Sequence, residues 1–155
     1  MSEALKIAII GDYNFTFNAH HATNLSLDHS SEFLEVELNY YWIKISEALK
    51  HKEGYFNQYD GIWVAPGPIE NPFYLNGIFK KIANKNIPVL ITGEGFKIFL
   101  EYLITQNQLL SQQEKLISEN LISGSSFERI TIESRSKTFH QLYENFNNVE
   151  LSSSR

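Results

Sequence analysis

The sequence predicts an α/β domain built on a doubly wound, mostly parallel sheet with helices on both faces. Three observations carry that expectation: four short apolar runs, a glycine- or proline-bearing turn closing most of them, and helix-tolerant segments alternating with the runs. Right-handed crossovers convert such an alternation into a parallel sheet covered on both sides.

Leu5 to Ile10 is apolar apart from Lys6 and closes on Gly11-Asp12, the pattern of a strand buried on both faces. Asn18 to Leu34 reads as a helix, with Ala19, Ala22, Leu25 or Ser26, His29 and Phe33 recurring every three or four residues as a modest amphipathic stripe. Val36 to Ile43, rich in β-branched and aromatic residues, forms a second strand, and Ile45 to Leu49 a short helix. Tyr59-Asp60-Gly61 turns the chain into a third strand, Ile62 to Ala65. That strand must end at Pro66-Gly67-Pro68, because proline has no N–H to give to a ladder. Tyr74, Ile78, Phe79 and Ile82 lie at helical spacing within Phe73 to Ala83. Pro88 opens the fourth strand, Val89 to Thr92, and Phe96, Phe99, Leu100 and Leu103 share one face of a helix over Phe96 to Ile104. This is a flavodoxin-like order.

Beyond residue 105 the character changes. Gln106 to Ser126 is polar and Ser/Gln-rich, Ile130-Thr131-Ile132 reads as one more strand and Ser136 to Phe146 as a last helix. The expected organisation is one domain over residues 1–155, its core at 5–104 and a less regular part at 105–155.

Composition excludes several function classes. No apolar run approaches the roughly 18 residues of a membrane span. MSEALKIAII lacks the basic, apolar and small-residue order of a secretory leader, so the expected compartment is cytoplasmic. With a net charge of -5 and no basic cluster denser than Lys80-Lys81 with Lys85, nucleic acid is not an expected partner. Cysteine is absent, which removes disulfides, thiolate metal sites and every mechanism that runs through a cysteine nucleophile. His20 and His21 point about 100° apart on a helix and His29 lies two turns on, so surface or half-buried histidines are expected, with no metal or other cofactor. His140 and Glu144 have the spacing of an exposed helix pair.

In open parallel sheets small molecules bind beyond the carboxyl ends of the strands, where helix N-termini and loop amides gather. Three stretches reach that edge: Gly11-Asp12-Tyr13-Asn14, Pro66-Gly67-Pro68-Ile69-Glu70 and Thr92-Gly93-Glu94-Gly95. The candidate binding residues for a small polar metabolite are therefore Asp12, Tyr13, Asn14, Gly67, Glu70, Thr92, Gly93 and Gly95. The last stretch is shaped like a nucleophile elbow, a sharp strand-to-helix turn that displays one side chain above the sheet. Glu94 is the candidate catalytic base there; it also suits the first turn of the following helix for dipole reasons alone. Both readings stand at this point.

The segments KIAIIGDYN, HHATN, YDGIWVAPGP and IPVLITGEGFKIFLEY, in this order and spacing, resemble the glutamine amidotransferase domain of CTP synthase, in the class I amidotransferase superfamily, and a group of stand-alone proteins related to it. The resemblance spans residues 5–104, with a weaker echo from Glu128 to Tyr143. It implies that the family's cysteine falls on Gly93 and its glutamine on Lys97. It also implies that the oxyanion loop is Pro66-Gly67-Pro68, where Pro68 has no N–H to donate. The family's C-terminal histidine and glutamate have no placed counterpart.

The implied function is a pseudoenzyme: a non-glutaminase binding or accessory protein for a partner enzyme subunit. The alternative is a small-molecule enzyme, for proton transfer, lyase or hydrolase chemistry, that uses Glu94 with Tyr13 or Glu70. Edge strands of the related fold commonly make dimers, so a homodimer is also expected, with Tyr40, Tyr41, Trp42 or Phe73 as contact residues. GxxxxGK[ST] does not occur and 155 residues leave no room for a synthetase domain, so CTP synthesis by this chain alone is not expected.

Overall fold

A computed structural model describes residues 4–83, 85–108, 132–133 and 151–152. The chain divides into two compact units, Met1–Ile117 and Ser118–Arg155. In the second, strands β5 (Ile132–Glu133) and β6 (Leu151–Ser152) pair in parallel. The strand expected at Ile130-Thr131-Ile132 meets β5 at Ile132, while the polar stretch from residue 109 on, the last helix and the His140/Glu144 pair fall outside the described residues.

The first unit holds β1 (Leu5–Ile10), α1 (Asn18–Leu34), β2 (Leu38–Ile43), α2 (Ile45–Lys50), a 3-10 turn over Glu53–Gln58, β3 (Gly61–Val64), α3 (Pro72–Ile82), β4 (Val89–Ile91) and α4 (Gly93–Gln106). The sheet is all-parallel in the order β2-β1-β3-β4. The chain leaves β1 for β2 on one side and later returns to β3 on the other. The gap between the carboxyl ends of β1 and β3 is thus a topological switch point.

Strand alternation sorts the two faces. Ala8 and Ile10 of β1, Ile43 of β2 and Ile62 and Val64 of β3 join Ile45 and Ala48 of α2, Leu75, Ile78, Phe79 and Ile82 of α3 and Ile98 of α4 in one buried cluster. Three helices therefore cover this face. Phe79 is its largest anchor on α3, edge-on to Phe99 at 5.0 Å and tilted on Tyr102 at 5.5 Å between ring centres. Asn71 caps α3, its side chain accepting from the Phe73 N–H at 3.2 Å, with Pro72 in the first turn. The Lys81 ammonium donates to the carbonyls of Leu49 and His51 and so caps the end of α2.

On the opposite face α1 packs on β2 and leaves Leu90 of β4 exposed, and here the helix is turned away from the orientation its sequence suggests. Ala19, Ala22, Leu25, His29 and Phe33 are exposed, Phe33 at 86%; the buried residues of α1 are His20 and Thr23. The weak apolar contrast along this helix leaves its orientation to specific bonds. Trp42 on β2 donates its indole N–H to Asn24 at 2.8 Å, and His20 is bonded on both sides, as described below. α1 ends at Glu35, a non-glycine residue at φ 52 whose N–H returns to the carbonyls of Ser31 and Glu32. Val36 is tied back to Ser31, its N–H donating to the Ser31 carbonyl and its carbonyl accepting the Ser31 hydroxyl, and β2 starts at Leu38, two residues later than β-propensity suggests.

Burial and a hydrogen bond to Tyr55 raise the Tyr59 phenol far above its ordinary value, and burial with a hydrogen bond to Asp28 raises Tyr40. The native state therefore holds these protons more tightly than the unfolded chain. Stability should be insensitive to them below about pH 10 and should fall as pH rises beyond it. An alkaline ultraviolet titration alongside circular dichroism is expected to show the exposed tyrosines ionising first and the fold failing as Tyr59 ionises.

Candidate functional site at the carboxyl edge

Three loops meet at the switch point. The first, after β1, is self-bonded: the Asn14 side chain accepts from the Thr16 N–H at 2.9 Å and the Thr16 hydroxyl at 2.8 Å, and the Phe17 N–H donates to the Asn14 carbonyl at 3.1 Å. The second, after β3, holds Pro66, Gly67 at φ +107 and a cis Gly67–Pro68 peptide. The third is the strand-to-helix turn at Thr92 and Gly93.

Thr92 is extended at φ -130 and ψ 157, and its hydroxyl accepts the Trp63 indole N–H at 2.9 Å. Gly93 then turns to φ +57 before the helix proceeds, a reversal within one residue that glycine adopts without steric cost. The helix expected from Phe96 therefore begins at once, at Gly93, in the geometry of an elbow. A side chain at Gly93 has no space: its Cβ would stand 2.5 Å from the Pro66 carbonyl oxygen and 2.8 Å from the Pro66 Cα and Cβ.

Glu94 engages the second loop twice. Its N–H donates to the Pro66 carbonyl at 2.8 Å, and its carboxylate Oε2 accepts the Ile69 N–H at 2.9 Å. A Cβ on Gly67 would lie 2.6 Å from the same carboxylate oxygen, so glycine at 67 is what lets the acid reach across. Gly95 is buried against Val64 and the Ala65 carbonyl, where a Cβ would meet atoms at 3.0 and 3.1 Å.

In an elbow that carries out acyl transfer, the oxyanion is held by the N–H of the residue after the nucleophile and by an N–H from a neighbouring loop. Here the first of these groups, Glu94 N–H, is spent on Pro66, and Pro68 has no N–H to supply the second. The apex carries no nucleophile.

The structure brings Gly67, Gly93 and Glu94 together around Pro66, with Thr92 bonded to Trp63, while Gly95 is buried against β3 and lies outside that set. Tyr13 and Asn14 join through His20, one of the histidines that the sequence leaves as surface or half-buried. His20 is 1% exposed. Its Nδ1 accepts the Asn14 N–H at 3.0 Å and its Nε2 donates to the Gly67 carbonyl at 2.7 Å; the two partners fix the neutral Nε2–H tautomer. Tyr13, Phe17 and Trp42 surround the ring at centroid distances of 5.8, 5.7 and 5.0 Å. Asp12 and Glu70 are exposed and, among the described residues, make no side-chain hydrogen bond that ties them to this set. Among the described residues no group of three or more His, Cys, Asp or Glu stands where it could hold a metal ion, and no helix is long and apolar enough to cross a membrane. Helical spacing alone gives His20 no mark; only the tie to a carbonyl 47 residues away reveals it.

No protein-family model matches the sequence, and no curated protein matches it significantly. Among solved structures the fold is similar to the glutaminase domain of Trypanosoma brucei CTPS with bound acivicin, at TM-score 0.55 and 20% identity over 65% of this chain and 40% of that one. The chain thus has a glutamine amidotransferase-like α/β fold and spans less than half the length of the solved chain it resembles.

Proposed function

We propose that this chain is an amidotransferase-like domain that does not hydrolyse glutamine and acts as a binding or accessory domain. One observation carries the reading: the elbow is closed against its own chemistry, with Pro66 occupying the space of a side chain at Gly93 while taking the N–H of Glu94. Without a thiol no thioester forms, and loss of a single oxyanion donor already costs about 100- to 1000-fold in rate. The expected result is no ammonia release from glutamine above the buffer rate. Turnover that survives repurification and scales with protein concentration would falsify it. The small polar metabolite, the partner subunit and the homodimer all belong to this proposal, the last with Tyr40, Tyr41, Trp42 or Phe73 as contact residues, of which Phe73 is 81% exposed.

The rival reading, acid–base chemistry by Glu94, makes a different prediction. Under the proposal Glu94 is a latch, so Glu94→Gln, which keeps an oxygen for the Ile69 N–H, should leave stability nearly unchanged. Glu94→Ala strands that N–H on a residue only 8% exposed and should lower stability by about 1–2 kcal/mol in urea denaturation. Equal losses in the two variants would remove the latch.

A further inference from the structure

His20 is buried, has both ring nitrogens bonded, and joins two loops whose contact closes the elbow. We propose that it is a proton-gated clasp: the neutral ring holds the β1–α1 loop to the Pro66–Pro68 loop, and a proton on Nδ1 releases them. The inference concerns the loops themselves and stands whether or not the elbow binds a ligand.

The chemistry is that of the tautomer. Nδ1 uses its lone pair to accept the Asn14 N–H, so a proton there sets N–H against N–H. Nε2–H faces a carbonyl and can still donate, but the ring must shift to relieve the first conflict, and its other partner is the Gly67 carbonyl. A shift at Gly67 is transmitted directly, because Pro66 lies over Gly93 and Ile69 is bonded to Glu94. Opening this loop returns the Glu94 N–H to solvent and clears the space above Gly93.

Aromatic rings of Tyr13, Phe17 and Trp42 enclose the His20 ring. Of the ionisable groups on the packed elements, His21 of α1 is bonded to the Phe15 carbonyl at 2.6 Å, and Asp12 of the β1–α1 loop is exposed. On β2, Tyr40 is hydrogen-bonded to Asp28 of α1. The Glu94 carboxylate lies against Gly67, whose carbonyl His20 holds; it is exposed, so solvent weakens its field.

The test is nitrogen and amide-proton NMR on the full chain from about pH 7.5 to about pH 5, the window in which histidine changes charge. The expected result is the Nε2–H tautomer at the upper end. On acidification the amides of Asn14, Ile69 and Glu94 should titrate together with the His20 ring, while those of Ile9 and Val64 in the sheet stay in place. A ring that keeps its neutral pattern down to the acid limit, loop amides with a midpoint different from that of the ring, or strand amides moving in step with the loops would each overturn the clasp. His20→Gln should abolish the loop transition; if that variant does not fold, the wild-type titration decides alone. Ammonia release from glutamine tests the function proposed above and leaves this titration untouched.

Discussion

Replacing Gly93 with cysteine is expected to produce no ammonia release from glutamine and to lower stability by about 2–5 kcal/mol. The first half follows from what surrounds the position. A thiol placed at the apex finds Glu94 N–H already donating to Pro66, and Pro68 in the neighbouring loop has no N–H to offer an oxyanion. The second half follows from backbone and space. At φ +57 an L-residue pays the left-handed conformation, about 1–2 kcal/mol, and its Cβ must displace a carbonyl oxygen 2.5 Å away, an overpacking cost of about 1–3 kcal/mol. Gly93→Ala should lose as much without any thiol, which separates sterics from chemistry. Urea denaturation of both variants, with the slope checked for a constant unfolding transition, gives the stability figure. Full stability in Gly93→Cys would mean that Pro66 yields readily and that the elbow is open in solution.

The larger effect on the fold is expected at Phe79. Phe79→Ala should lower stability by about 3–5 kcal/mol, a major share of the roughly 5–15 kcal/mol typical of a domain. The residue is 1% exposed and packs on Phe99 and Tyr102, so truncation leaves a void bounded by rings that cannot all collapse inward. Phe79→Leu, which keeps most of the volume, should lose much less. Because α3 and α4 both start at the carboxyl edge, the alanine variant should also loosen the Pro66 and Gly93 loops, read as faster amide exchange at Ile69 and Glu94. A loss below about 1 kcal/mol would mean that the α3–α4 contact is not packed as described.

The order of elements in the first unit was legible because three of its four strands carry their own stop. Gly11, the Pro66 loop and Gly93 end β1, β3 and β4 through local backbone chemistry that needs no partner. α3 was legible from Tyr74, Ile78, Phe79 and Ile82 at helical spacing, although it begins one residue earlier, at Pro72 after the Asn71 cap. α1 was misleading because its apolar contrast is slight: the stripe of Ala19, Ala22 and Phe33 lies outward, while a histidine and a threonine are buried. The 3-10 turn at Glu53–Gln58 carries no periodic signal and was not anticipated.

By itself the sequence determined the parallel α/β class, the three loops gathered at one sheet edge and the absence of any thiol, since these follow from local pattern and composition. Only the tertiary structure decided that His20 is a buried tie, that Glu94 reaches back to Ile69, and that Pro66 fills the place of a side chain at Gly93. The physical reason is distance along the chain. Those contacts join residues 47, 25 and 27 positions apart, and whether a polar group is buried depends on a partner that its own segment does not contain.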